Sequence, residues 1–286
     1  MLFPIKQLTK KEFPTLLKEI PDPPPALFIR GTLPPPATHT YLCVVGSRAT
    51  TPYGRRVCAS LISGLARYPV AIISGMALGI DAQSHTTALD VGLPTVAVLP
   101  SSCDDASLYP PSNKGLAQRI LARGGALVSE RKSPWKAHPH DFAARNRIMA
   151  GMSKATLIIE AGEKSGTLIT ARLALDYNRE VLCVPHELGR ENGKGTNQLI
   201  REGATLVREA GDILQALGLK EQPSQEALPA DLTSSETNIL AALKGAMVKD
   251  ELIEETSLSA QEANVALSSL LIRGLITERL GKIERA

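Results

Sequence analysis

Aromatic side chains are scarce: four Phe, five Tyr and one Trp among 286 residues. Any surface that stacks planar ligands must therefore be small. An excess of one charge sign is also missing, with 32 Lys and Arg against 29 Asp and Glu, so the chain is no histone-like polycation. Four cysteines, Cys43, Cys58, Cys103 and Cys183, share no metal or redox spacing, and two fall inside predicted strands. They read as small apolar core residues of a reduced, cytoplasmic protein. No apolar run reaches the ~18 residues of a membrane span, and Lys6, Lys10, Lys11 and Glu12 interrupt any signal-peptide core. No membrane partner, no cofactor and no metal are expected.

What is present is unevenly distributed. From Asp231 to the end there are six Lys or Arg and nine Asp or Glu, a net of −3, which leaves the first 230 residues at +6. A polyanion partner therefore belongs to the first part. Residues 1–37 are proline-rich, with Pro23-Pro24-Pro25 and Pro34-Pro35-Pro36, and read as an extended arm with a short helix near Glu12 to Ile20, packed on the main domain. From Tyr41, strand and helix signals alternate. Strands are expected at 41–45, 70–73, 95–99, 126–128, 156–159, 181–184 and 205–207, with helices between and after them. Unalternated Val, Ile and Leu imply strands buried on both faces, hence a mostly parallel sheet. The fold expected for 38–217 is a doubly wound, Rossmann-like α/β domain. Residues 218–232 lose periodicity and read as a linker. Residues 233–286 give three helix signals and a ribbon with Gly281 near its turn, the pattern of a small winged-helix domain.

In an open parallel sheet, ligands bind outside the carboxyl ends of the strands. Those positions here hold Gly46-Ser47-Arg48, then Ser74-Gly75 followed by Gly79 and Asp81, then Ser129-Glu130-Arg131, then Glu160 with Lys164-Ser165-Gly166-Thr167, and finally Pro185-His186 followed by Gly193, Gly195 and Asn197. The segment Phe142 to Ala174 is the densest. A strand, a glycine turn and a helix start present backbone N–H groups and a positive dipole end to an anion. Arg145-Asn146-Arg147 lie close upstream, within reach of the same spot. Any single glycine is more often a turn former, and two arginines two apart point to different sides, so one of them can serve an ion pair. The combination suits a row of phosphates.

These motifs resemble the DNA-processing protein A (Smf) family: an aromatic, Arg-Asn-Arg, a strand ending Glu-Ala, and Ser-Gly before a helix. SGMALGID, TNQLIREGA and the lead-in FPTLLKEIPDPPPALFIRG match it as well, so the resemblance covers residues ~10–217. It implies a single-stranded DNA binder that protects incoming DNA, loads the RecA recombinase on it and forms a homodimer through its Rossmann domain. It also implies that Arg48 binds phosphate, that Ser74 and Gly75 make close backbone contact, that Phe142 stacks on a base, and that Lys164, Ser165, Thr167 and Asn197 line the groove. The candidate DNA-binding residues are thus Gly46, Ser47, Arg48, Ser74, Gly75, Phe142, Arg145, Asn146, Arg147, Lys164, Ser165, Gly166, Thr167 and Asn197. The sequence departs from the family at Pro100-Ser101-Ser102-Cys103-Asp104, at His186 in place of a glycine, and in the histidine-rich WKAHPHDF.

Enzyme readings fit less well. Asp81, Ser84 and His85 share one helical turn and cannot converge as a triad. His138 and His140 have no Cys or carboxylate at a recognised ligand spacing, and Gly162 to Gly166 does not have the spacing of an NTPase phosphate loop. A phosphoribohydrolase-like Rossmann protein, using Arg147 and Glu160, is the alternative. Otherwise Glu160 is expected to pair with the arginines and orient them. The C-terminal module, net negative with Gln261, Asn264, Arg273 and Glu262 on its presumed recognition helix, suits protein contact or an auxiliary DNA role.

Overall fold

The unalternated apolar runs form a sheet covered on both faces. In the computed structural model, which describes residues 3–220, 232–243, 245–279 and 281–285, the strands of the first unit are β1 (Ile5–Leu8), β2 (Leu27–Gly31), β3 (Thr40–Val45), β4 (Val70–Ser74), β5 (Thr95–Val98), β6 (Ala126–Ser129), β7 (Ala155–Ile158), β8 (Glu180–Cys183) and β9 (Thr205–Leu206). Their order is β1-β2-β6-β5-β4-β3-β7-β8-β9, and β3 to β9 are all mutually parallel. The helices are α1 (Thr15–Lys18), α2 (Pro52–Ser63), α3 (Ile80–Asp90), α4 (Lys114–Ala122), α5 (Pro139–Met152), α6 (Thr167–Asp176), α7 (Lys194–Arg201) and α8 (Ala210–Ala216).

Strand side chains alternate between faces, and here both sets are apolar. Tyr41, Cys43 and Val45 of β3 pack with Ile148 and Met149 of α5 and Ala171 of α6. Leu42 and Val44, one residue out of phase, pack with Cys58, Leu61 and Ile62 of α2 and Ile213 of α8. A third cluster joins Met76 and Leu99 to Ile120 and Leu121 of α4. Successive parallel strands run outward from β3 to β6 and then resume on the other side of β3 with β7. The carboxyl ends of β3 and β7 therefore flank the point where strand order reverses, which is where an open sheet leaves a crevice.

The proline-rich arm holds more than an extended chain with a helix. Its helix is the short α1, and β1 and β2 pair antiparallel with each other while β2 pairs antiparallel with β6 (Phe28↔Ser129). Leu17 and Ile20 sit directly over Gly151 of α5. A Cβ built on that glycine would lie 2.9 Å from Ile20 and 3.2 Å from Leu17.

The second unit is described by itself. It comprises α9 (Ser234–Ala242), β10 (Met247–Val248), α10 (Lys249–Thr256), α11 (Ala260–Ile272), β11 (Ile276–Arg279) and β12 (Lys282–Arg285). Capping boxes at Thr233 with Glu236 and at Ser259 with Glu262 start α9 and α11. Ile239, Leu240, Leu252, Leu267 and Leu270 form its core, and the antiparallel ribbon makes it a winged helix. Residues 221–231 of the expected linker lie outside the described residues. Among the described residues no helix is long and apolar enough to cross a membrane.

Because Leu17 is fully buried in the same cluster as the central strands, Leu17→Ala should destabilise the first unit by about 2–5 kcal/mol, as for other buried leucine truncations. Chemical denaturation followed by circular dichroism reads this. An unchanged midpoint would mean that the N-terminal segment is not part of the cooperative core.

Candidate functional site

At the switch point a cleft of about 540 Å³ opens between the loop after β3, the first turns of α5 and the start of α6. Gly46, Ser47 and Arg48 form one wall, Phe142, Arg145 and Asn146 another, and Ser165, Gly166 and Thr167 the third. Gly46 leaves the β3 loop close to α3, since a Cβ there would lie 2.6 Å from Ile80. Arg48 is exposed, forms no ion pair among the described residues, and lies 4.9 Å over the centre of the Phe142 ring. At such an exposed site a cation–π contact contributes only ~0.5–1 kcal/mol, so the guanidinium is steered rather than locked. Phe142 is half-buried and meets Tyr109 edge-on at 5.5 Å. Across from them α6 begins, with the Ser165 hydroxyl accepting from the Thr167 N–H at 3.2 Å. The positive end of a helix, a guanidinium outside any ion pair and an aromatic face thus meet in one crevice, the chemistry needed to hold a phosphate beside a base. Past Arg48 the groove continues into a shallower recess of about 400 Å³ bordered by Thr50, Arg55, Gln83 and Thr86.

The floor is a buried cation. Arg145 is 5% exposed, and its guanidinium donates to the Gly75 and Val98 carbonyls at the ends of β4 and β5. Burial presses it below the usual arginine range, and the nearby Asp81 carboxylate opposes that shift. Asp81, also buried, accepts from the Gly75 and Ala77 N–H groups at 3.1 and 3.3 Å. Gly75 has to be glycine, because a Cβ would fall 2.3 Å from the Arg145 guanidinium. Ser74 is buried and donates to the Val44 carbonyl at 2.6 Å, so it ties β4 to β3 and does not face the cleft.

Glu160 does not orient the arginines, as the sequence suggested. Its carboxylate is fully buried and accepts from the Thr50 hydroxyl at 2.8 Å, the Thr51 N–H at 3.1 Å and the Thr51 hydroxyl. It holds the N-terminal turn of α2 and, with it, the Arg48 loop. Arg147 is not in the cleft either. It pairs with Glu130 at 2.5 Å and with Asp22 at 3.4 Å, which joins α5 to the N-terminal segment. With Arg147 and Glu160 on separate partners, the pair required by the phosphoribohydrolase reading is not assembled. Lys164 is exposed but lies outside the cleft lining. Asn197 brackets the His186 backbone, accepting at 3.0 Å and donating at 2.9 Å. His186 Nε2 in turn lies 2.8 Å from the Ile159 carbonyl, so that nitrogen carries the proton and stitches the β7 and β8 loops together.

The candidate triad residues make separate local contacts. His85 Nδ1 meets the Thr95 hydroxyl at 2.7 Å and the Ser84 hydroxyl donates to the Asp81 backbone carbonyl. Asp81, Ser84 and His85 therefore form no relay. Among the described residues no three His, Cys, Asp or Glu side chains gather as a metal site would require. Sequence reasoning missed Tyr109 and Arg55. Tyr109 was visible only in its Tyr-Pro pair, and Arg55 carried no motif.

Two aspartates fix the loops around α5. Asp141 is 1% exposed at the side chain, accepts from the His138 N–H at 2.8 Å and the Trp135 indole at 3.0 Å, and meets Arg131 at 2.6 Å. Burial pushes its carboxyl up, but these donors outweigh burial and hold it below the ordinary aspartate value. Asp104 is likewise pushed up by burial and pulled further down by the Ser102, Ser133 and Ser107 donors, to about 2.

The DNA recombination-mediator protein A family profile matches residues 5–218, and a DprA winged-helix profile matches residues 222–282. Protein Smf of Escherichia coli is 41% identical over 206 residues, covering 72% of this chain and 54% of that protein. Protein Smf of Synechocystis is 36% identical over 253 residues, covering 85% of this chain and 63% of that one. The chain thus spans under two thirds of the length of these two relatives. Among solved structures, DNA processing protein A of Streptococcus pneumoniae superposes with a TM-score of 0.69 at 33% identity, covering 77% of this chain and 75% of that one. DNA processing protein A of Helicobacter pylori, which binds single-stranded DNA, superposes with a TM-score of 0.67 at 30% identity, covering 75% of this chain and 96% of that one.

The Asp104 carboxylate sits below its unfolded value of 3.8, so its stabilising effect is complete above pH ~4 and is lost as pH falls through about 2. Asp104→Ala should therefore cost ~1 kcal/mol at pH 7, reduced from the range for charged hydrogen bonds because the side chain is partly solvated. Thermal unfolding of both proteins from pH 7 to pH 2 should show the gap closing at the acid end. A gap that stays constant with pH would mean the carboxylate charge does not brace this loop.

Proposed function

The chain belongs to the DNA recombination-mediator protein A family, and we propose that it binds single-stranded DNA along the switch-point cleft, protects incoming DNA and helps load the RecA recombinase on it. The observation that carries this reading is the exposed Arg48, outside any ion pair among the described residues, poised over Phe142 beside the start of α6. A phosphate is attracted by the guanidinium and the helix end, and the adjoining base stacks on the ring. Neither interaction reads sequence, which suits a protein that must accept any strand. The protein works in the cytoplasm as a homodimer. In this reading it holds DNA without cleaving it: Glu160 is buried and accepts from Thr50 and Thr51 through both oxygens, and the buried Asp81 accepts the Gly75 and Ala77 N–H groups through Oδ2. A base positioned to activate water would need an open lone pair within reach of the substrate.

The charge split supports placing DNA on the first unit. Phosphate contacts release counterions and make affinity salt-dependent, with a slope of about −0.7 per neutralised phosphate on single strands. The winged-helix segment is net acidic, whereas duplex readers present a basic face, and it serves protein contact or an auxiliary DNA role.

Binding should weaken in Arg48→Ala with a salt slope shallower by ~0.7, for every strand sequence alike. Phe142→Ala should weaken it by ~1–3 kcal/mol at nearly unchanged slope, because stacking releases no counterions. Fluorescence anisotropy of labelled strands at several salt concentrations separates the two. Identical slopes in both variants would show that Arg48 does not touch phosphate.

A further inference from the structure

We propose that the loop from Arg131 to His140 is a second contact surface for the same single strand, with the Trp135 indole as its stacking platform. This rests on the single-strand reading of the cleft and adds to it a direction in which the strand leaves. The loop carries Arg131, Lys132 and Lys136 with His138 and His140, and no Asp or Glu. Lys132, Lys136 and both histidines are exposed. Arg131 is paired with Asp141, and the exposed Lys132 and Lys136 present the positive charge that a polyanion requires.

The geometry connects it to the cleft. Pro139 at the start of α5 already lines the cleft together with Phe142. His138, the residue that caps the start of α5, lies four positions before Phe142, and its ring meets Trp135 edge-on at 5.7 Å. The contact of Tyr109 with Phe142 and that of His138 with Trp135 therefore fall on one path along the start of α5. A chain with only ten Phe, Tyr and Trp side chains has placed three of them there.

Trp135 is 37% exposed, yet both its backbone and its indole are hydrogen-bonded. Its N–H donates to the Ser102 hydroxyl at 2.8 Å, and its carbonyl accepts from the Ser102 N–H at 3.0 Å. Its indole N–H donates to Asp141 at 3.0 Å, and the Arg131 guanidinium lies over the ring at 5.1 Å while pairing with the same Asp141. A surface indole fixed at backbone and ring loses little freedom when a base stacks on it, which is the condition for a preorganised contact. The cations on either side, Lys132 and Lys136, then meet the flanking phosphates.

Trp135 is the single tryptophan of the chain, so its emission reports this surface alone. Titrating the full-length protein with an oligothymidylate of about ten nucleotides, within the site sizes of single-strand binders, should quench that emission saturably, in step with the anisotropy of a labelled strand. Trp135→Ala should weaken binding of the same strand about 5- to 150-fold, while Trp135→Phe, which keeps a ring, should bind within a few-fold of the parent. Thermal unfolding of each variant checks that the loop change has not unfolded the unit. A strand that binds without altering tryptophan emission, or a Trp135→Ala variant that binds like the parent, overturns the extension and leaves the cleft reading standing. Failure of any single strand to bind at low salt overturns both.

Discussion

The binding edge hangs on one buried guanidinium. Arg145 reaches from α5 to the carbonyls that end β4 and β5, while Asp81 at the start of α3 gathers the amides of the intervening turn. Helix and strand ends from separate parts of the chain are thereby fixed in position by charge. A buried ion is costly to desolvate and tolerable only when its partners are complete. The constraint reaches into the sequence: Gly75 has no space for a side chain beside that guanidinium. Phe142 lies one turn before Arg145 on the same helix, so the ring over which Arg48 lies is placed by the anchor beneath it.

The same economy recurs in the loops. Glu160 holds the Arg48 loop and the start of α2, Asp104 holds the turn after β5, and Asp141 holds the start of α5. Each carboxylate is consumed in bracing. Along the cleft the exposed or half-buried groups include Arg48, the Ser165 hydroxyl and the Phe142 ring, although the whole chain is nearly neutral. The proposed affinity of the cleft for a phosphate therefore rests on burial of the acids nearest it, Asp81 and Glu160, rather than on an excess of bases over the whole chain.

Much of this was legible in the sequence, for physical reasons. The parallel strands announce themselves because burial on both faces forces unbroken Val, Ile and Leu, and strand ends are where an open sheet binds ligands, which singles out Gly46 to Arg48 and Ser165 to Thr167. β1 and β2 were hidden. Lys6 and Gln7 face solvent at the edge of the sheet, and Leu27 to Gly31 pairs with β6, a partner about a hundred residues away. The fate of individual side chains was also hidden. Arg145 and Arg147 look equivalent in the string Arg-Asn-Arg, but two residues of helix turn them some 200° apart, one into the floor and the other toward Glu130 and Asp22. Glu160 had the position of an arginine partner, and only the tertiary placement of Thr50 and Thr51 diverted it. Asn197 and Lys164 share a motif with the cleft without sharing its space.

The central claim is that a single strand runs through the switch-point cleft of the first unit. It is tested most directly by irradiating the full-length protein with a 4-thiothymidine-bearing single strand and mapping the crosslinked peptides by mass spectrometry. The account predicts crosslinks in the peptides containing Arg48, Phe142 and Ser165 to Thr167, suppressed by an excess of unmodified single strand. Crosslinks confined to the winged helix, or to a separate groove that Arg172 of α6 and Lys194 of α7 line, would contradict it.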